Sequence, residues 1–281
     1  MAIRIITDTA SDFTVEEASA LGLGLVPMTI THQGKTYRCE YELSRSEFYR
    51  LLTETNELPK TSQPAPADYA KLFRDAKEAG DDAICICISA ALSGTCQSAQ
   101  IAKMDVDYDR IHIFDSRTGA AAEKMLVTEA LRLAKENISA EEIIEKLSSL
   151  RDRMGLHAAL DTLEYLYKGG RLTAVEAGAG IIMRIKPVVT ISNEGTVAVA
   201  GKSIGAKKAF DHLVQILKSQ DLDPDYPPVF LYSKDPTACH KLMDAFNIPE
   251  TERESRMVEL GGTIGTHVGP GVYGMAYVRR A

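Results

Sequence analysis

Short apolar runs alternate with amphipathic segments along the first half of the chain. Ala2 to Ile6, Gly24 to Ile30, Asp82 to Ser89 and Arg110 to Phe114 are rich in apolar and β-branched residues and read as buried strands. Between them, helical spacing runs from Val15 to Leu21 behind Thr14, from Ala67 to Ala79 before Gly80, from Ser93 through Ala102, and from Ala120 to Lys135. Gln33-Gly34 is a candidate hairpin turn. Ser44 stands at capping-box spacing from Glu47, and Phe48, Leu51 and Leu52 then mark the buried face of a short helix. Ser139-Ala140-Glu141-Glu142 opens a further helix through about Met154. Strands alternating with helices predict a mostly parallel sheet covered on both faces, an α/β/α domain over residues 1–154.

After Gly155 the pattern changes. Strands are predicted near Leu156 to Leu160, Pro187 to Ser192 and Thr196 to Lys202, with Asn193-Glu194-Gly195 as the hairpin turn between the last two. A helix from Lys207 to Lys218, a strand at Val229 to Tyr232, a helix around Thr237 to Phe246 and a strand at Tyr273 to Val278 follow. This predicts a second, α+β domain over residues 155–281, whose last strand is open to pairing with either sheet.

With 281 residues and 45% hydrophobic content, each domain has enough apolar surface for its own core. The formal charge of −7, from 32 basic and 39 acidic residues, argues against nucleic acid and leaves at most transient membrane contact. No apolar run approaches the roughly 18 to 20 residues that span a bilayer, and Met1-Ala2-Ile3-Arg4-Ile5-Ile6 reads as a first strand rather than a signal peptide. Five cysteines without a Cys-x-x-Cys pair argue against a disulfide framework and against zinc, so a cytoplasmic protein without a metal is expected. Cys85 and Cys87 alternate with isoleucines, which predicts buried thiols on one strand face.

Near the end, Gly265-Thr266-His267-Val268-Gly269-Pro270-Gly271 surrounds one imidazole and one hydroxyl with small or rigid residues, and reads as a loop that positions a hydrogen-bonding pair. Thr61-Ser62-Gln63-Pro64, also read as a loop, and Ser93-Gly94-Thr95 carry further hydroxyls without charge, suggesting a site that recognises a small polar head through neutral donors. Ser93 follows a strand and precedes a helix, so a hydrolase with His267 as base and Asp115 as its orienter is the alternative. The nucleophile elbow requires glycine two residues either side of the serine, and Ala91 and Thr95 stand there. No P-loop or dinucleotide fingerprint occurs. Asp8 and Asp12 fit turn capping better than magnesium. Lys168-Gly169-Gly170-Arg171 puts two cations on a turn, read as a helix C-cap or as a ligand or partner contact.

Taken in order, Thr7-Asp8-Thr9-Ala10-Ser11-Asp12, Thr61-Ser62-Gln63-Pro64, Ser93-Gly94-Thr95, Asp115-Ser116, Lys168-Gly169-Gly170-Arg171-Leu172, Lys186-Pro187 and the terminal Gly-Thr-His-Val-Gly-Pro-Gly resemble the DegV family over nearly the whole chain. The resemblance implies a cytoplasmic bacterial protein that binds a long-chain fatty acid between two domains and needs no cofactor. It implies a carrier, without catalytic residues of its own, serving an ATP-dependent fatty acid kinase. The implied head-group contacts are Thr61, Ser62, Ser93, Gly94, Thr95, Thr266 and His267; Arg171 and Lys202 are the implied partner contacts. Ile181, Ile182, Met183, Ile185, Val188, Val189 and Ile191 are either tunnel wall or ordinary core. At ~0.8 kcal/mol per CH₂, burying a long acyl chain contributes on the order of 10 kcal/mol before ordering costs.

Overall fold

The computed structural model describes residues 2–55, 57–136, 138–173 and 185–281. β1 (Ile3–Asp8), β2 (Gly24–Val26), β6 (Asp82–Cys87) and β7 (Ile111–Asp115) pair in parallel in the order β2-β1-β6-β7. The chain leaves β1 toward one edge and β6 toward the other. The crevice beyond the carboxyl ends of β1 and β6 is therefore a topological switch point, where open α/β sheets place ligands.

Both faces of this sheet are covered, as the continuous apolar strands require. Tyr69 and Phe73 of α3 (Pro66–Ala79) and Ala99 and Ala102 of α4 (Thr95–Val106) pack on one face together with the buried thiols of Cys85 and Cys87. Those two sulfurs lie 3.7 Å apart on the same side of β6, as their alternation with isoleucine predicts. The other face receives α1 (Val15–Leu21), α5 (Ala120–Ala134) and α6 (Ala140–Arg153). Thr14 and Ser139 form complete capping boxes with Glu17 and Glu142.

A second sheet of six strands has the order β10-β9-β8-β13-β11-β12. It comprises β8 (Met154–Ala159), β9 (Ile185–Ile191), β10 (Val197–Ile204), β11 (Val229–Tyr232), β12 (Met257–Glu259) and β13 (Tyr273–Val278). The final strand, β13, lies inside this sheet between β8 and β11 and is antiparallel to both. α8 (Ala206–Lys218) and α9 (Thr237–Ala245) cover one face. The other face meets Ala120, Ala121 and Ala122. α5 thus packs against both sheets, with small residues at its first turn and Leu126, Val127 and Leu133 buried against the first sheet.

Three expectations change. The apolar run Gly24 to Ile30 is two strands, because Pro27 has no N–H to continue a ladder; after it the chain enters a separate antiparallel sheet. That sheet, β4-β3-β5, contains β3 (Thr29–His32), β4 (Lys35–Arg38) and β5 (Lys60–Ser62), so Thr61 and Ser62 sit on a strand rather than a loop. The terminal glycine-rich segment is largely helical: α11 (Gly262–Val268) precedes left-handed glycines at 269 and 271. Its glycines allow close packing on α2 (Arg45–Glu54), since a Cβ at Gly265 would lie 2.6 Å from Phe48 Cε1 and 2.9 Å from the Tyr49 hydroxyl oxygen. Two short helices, α7 (Glu164–Lys168) and α10 (Glu250–Arg253), complete the described elements. Among the described residues, no helix is long and apolar enough to cross a membrane.

Candidate functional site

The six-stranded sheet, the first turn of α5 and the switch point of the parallel sheet enclose an apolar cavity that is partly open to solvent. Its walls follow strand alternation: Leu156, Ala158 and Leu160 from the β8 segment, then Val189 and Ile191 from β9. Val188 faces the opposite way and packs in the core under α8 and α9. Ile185 lies outside the cavity wall. Ile181, Ile182 and Met183 lie outside the described residues.

A small polar group is set into this apolar wall. Thr61 Oγ1 and His267 Nε2 share a hydrogen bond of 2.7 Å, which joins β5 to α11. Strand alternation turns Thr61 inward and leaves its neighbour Ser62 exposed, so only the former reaches the cavity. Ser93 also lines it, and its hydroxyl lies 2.8 Å from the hydroxyl of Thr95, which is fully buried. Gly94 caps α4 beneath the Gln63 side chain; a Cβ there would lie 2.2 Å from Gln63 Oε1. Neither Gly94 nor Thr95 reaches the cavity surface. Thr266 is on the wrong side of its helix, bonding back to the carbonyl of Gly262 at 2.8 Å.

The site is not uncharged, contrary to the neutral-donor expectation. Among the described residues, Arg171 is the one charged residue lining the cavity, half-buried, with Nε donating to the Leu92 carbonyl at 3.1 Å and Nη1 to the Gly169 carbonyl. Burial lowers its pKa below the ordinary value for a guanidinium. The His267 ring packs against Gly169, where a Cβ would come within 2.4 Å of Nδ1. Burial, and secondarily the Arg171 charge, push His267 down to about 3, so its imidazole is neutral at pH 7. A neutral ring offers one donor and one acceptor; Thr61 engages Nε2, and Nδ1 is buried without a partner among the described residues. Lys202 stands apart, exposed on the edge strand β10 opposite Pro187.

The alternative triad is not assembled. Asp115 Oδ1 accepts from the backbone N–H groups of Ala90 and Arg117 at 3.1 and 2.9 Å, a turn-capping role, and the hydrogen bond of His267 goes to Thr61 rather than to Ser93 or Asp115. Asp8 likewise caps, accepting from Ala10 and Ile88 N–H at 2.9 Å each.

Sequence reasoning missed Leu92, Thr263, Ile264 and Val268 as cavity residues. Residues 263, 264, 267 and 268 form one stripe on α11, a helical period hidden once the segment is read as a loop.

Residues 2–280 match the model of a family described as uncharacterised proteins of the DegV family. A DegV domain-containing protein of Caldanaerobacter subterraneus subsp. tengcongensis is 34% identical over 277 residues, 98% of each chain. A fatty-acid-binding DegV family protein of Thermus thermophilus superposes with a TM-score of 0.86 at 31% identity, over 99% of this chain and all (100%) of the other. DegV of Bacillus subtilis, a fatty acid binding protein, superposes with a TM-score of 0.83 at 26% identity over 100% of both chains.

Proposed function

The chain belongs to the DegV family, and on that premise we propose that it is a cytoplasmic fatty-acid carrier: it shields a long acyl chain and presents the carboxylate to an ATP-dependent kinase. The observation that carries the reading is the joining of an apolar cavity to a compact polar group, Thr61, Ser93, Arg171 and the neutral His267. The relatives that bind fatty acids share the fold over essentially their full length, which supports the same ligand class here. Apolar contact supplies most of the affinity at ~0.8 kcal/mol per buried CH₂, and the polar group sets the orientation.

In this account the Thr61 and Ser93 hydroxyls donate to the carboxylate, and Arg171 compensates its charge from the cavity wall. Gly94, Thr95 and Thr266 lie behind these groups rather than touching the ligand, and Ser62 faces solvent. The partner kinase transfers the terminal phosphoryl group of ATP to a carboxylate oxygen, giving an acyl phosphate and ADP. Exposed Lys202 meets that kinase as a point charge, and Arg171 guards the carboxylate it approaches.

The test is reconstitution. The protein loaded with palmitate is mixed with a bacterial fatty acid kinase and ATP, and acyl phosphate is trapped with hydroxylamine. Acyl hydroxamate that requires both proteins, and that falls with Ser93→Ala, supports the reading. Ester hydrolysis by this protein alone, abolished by Ser93→Ala, would replace it with the hydrolase.

A further inference from the structure

His267 and Thr263 reach the cavity from a helix that belongs, by chain order, to the second half of the molecule, yet several of the ties that hold its start come from the first half. Gly261 precedes α11 and has no side chain to cap it. Its N–H instead donates to Asp12 Oδ1 at 2.8 Å, across 249 residues of sequence. Two residues further on, the Thr263 hydroxyl shares a hydrogen bond of 3.2 Å with that of Thr9, which also accepts from the Met28 N–H at 3.0 Å. Arg45 clamps the same two segments, donating to the carbonyls of Asp12 and Glu259, while Tyr49 donates to the carbonyl of Leu260 at 2.9 Å.

The Asp12 backbone is itself unusual. Its φ of 57° is in the left-handed region, which Asp tolerates better than most residues, and the turn aims the carboxylate at Gly261. The second oxygen, Oδ2, is buried with no hydrogen-bond partner among the described residues. Arg45, Glu40, Lys124, Glu17 and Glu259, with the buried carboxyl of Glu123 on α5, are charged or titratable groups gathered around this junction. No space is left for slack: a Cβ at Gly261 would lie 2.5 Å from Glu40 Oε1 and 3.3 Å from Asp12 Oδ1.

We infer that Asp12 is a positioning residue for the fatty-acid site: its carboxylate holds the start of α11 against the turn that follows β1, and thereby fixes His267 beside Thr61. Asp12 does not touch the cavity, so its effect on ligand passes through the helix. The inference rests on the carrier reading for its affinity readout only, because the state of the His267 ring can be measured with no ligand present.

Histidine-labelled protein is titrated by NMR as wild type, Asp12→Ala, Asp12→Asn and Thr9→Val, and palmitate affinity is measured for each. In the wild type, His267 stays unprotonated from about pH 8 to about pH 5. In Asp12→Ala it is expected to titrate close to the ordinary value, and palmitate affinity to fall by about tenfold. Asp12→Asn keeps an acceptor oxygen and is expected to restore both. A folded Asp12→Ala protein whose His267 signal and palmitate affinity match the wild type would overturn the inference. So would an Asp12→Asn variant that behaves like Asp12→Ala. If Asp12→Ala does not fold, Thr9→Val, which removes the neighbouring tie, must shift the His267 titration or the inference fails. If no variant binds palmitate but His267 responds as stated, positioning stands and the carrier reading falls.

Discussion

The Thr61 hydroxyl and His267 Nε2, 206 positions apart in sequence, meet at 2.7 Å in the wall of an apolar cavity. Replacing Thr61 with valine keeps the volume but leaves Nε2 without its partner, at a cost of about 1–3 kcal/mol where the group is buried. Palmitate affinity of Thr61→Val is expected to fall by about tenfold, measured by isothermal titration calorimetry. Unchanged affinity would place the head group elsewhere.

The cavity wall sets a chain-length rule. Affinity is expected to rise about fourfold for each added CH₂ until the space is filled, from ~0.8 kcal/mol per CH₂. Ala158 lies on β8 among the lining residues, and Ala158→Phe occupies part of the volume. The variant is expected to lose affinity for long acids while retaining it for short ones. A uniform loss across a chain-length series would show that Ala158 does not face the acyl chain.

Gly265 tests the packing of the His267 helix. An exposed helical Gly→Ala change ordinarily stabilises, by up to about 1 kcal/mol. Here the added methyl group would stand 2.6 Å from Phe48 Cε1, and overpacking of this kind costs about 1–3 kcal/mol. Gly265→Ala is therefore expected to lower the midpoint of urea unfolding. A raised midpoint would contradict the close approach.

Stability should respond to pH through Asp12. Burial pushes this carboxyl from its ordinary 3.8 up to about 7, with Arg45 opposing. Above that window both folded and unfolded states are ionised, and the burial cost is fully present. As pH falls through 7 the folded state alone takes up the proton, so stability rises, with a slope of at most ~1.4 kcal/mol per pH unit for one proton. Asp8, raised to about 6 by burial, adds in the same direction lower down. His157 and His267, pushed by burial from 6.5 to about 4 and about 3, act oppositely as pH falls from about 7.5 to about 6.5, where the unfolded chain protonates first, and offset much of the gain. The stability difference, wild type minus Asp12→Asn, in urea unfolding of the ligand-free protein isolates Asp12 and should rise as pH falls from about 8 to about 6.5. A difference that stays flat or falls over that interval would contradict the assignment.

Much of this architecture is legible in local pattern. Capping spacing marks the starts of α1 and α6 at Thr14 and Ser139, and the apolar runs mark β1, β6 and β7. The site is legible only in part, because its residues were chosen by chemistry while their orientation depends on element type. Thr61 and Ser62 look equivalent until β5 turns one inward and the other to solvent. Thr266 and His267 likewise part once their segment is helical, since neighbours on a helix point about 100° apart. Glycines that read as loop formers at 262 and 265 instead admit Ile30, Phe48 and Tyr49 against α11. That reason lies in residues far away in sequence and leaves no local signal.

The central claim is that the cavity holds a fatty acid. Purified protein would be denatured and extracted with organic solvent, and the released material identified by mass spectrometry. A long-chain fatty acid in near-stoichiometric amount is the expected result, and its length reports the volume enclosed by Leu156, Ala158, Val189 and Ile191. An empty extract, from protein that also fails to take up added palmitate or oleate, would contradict the account.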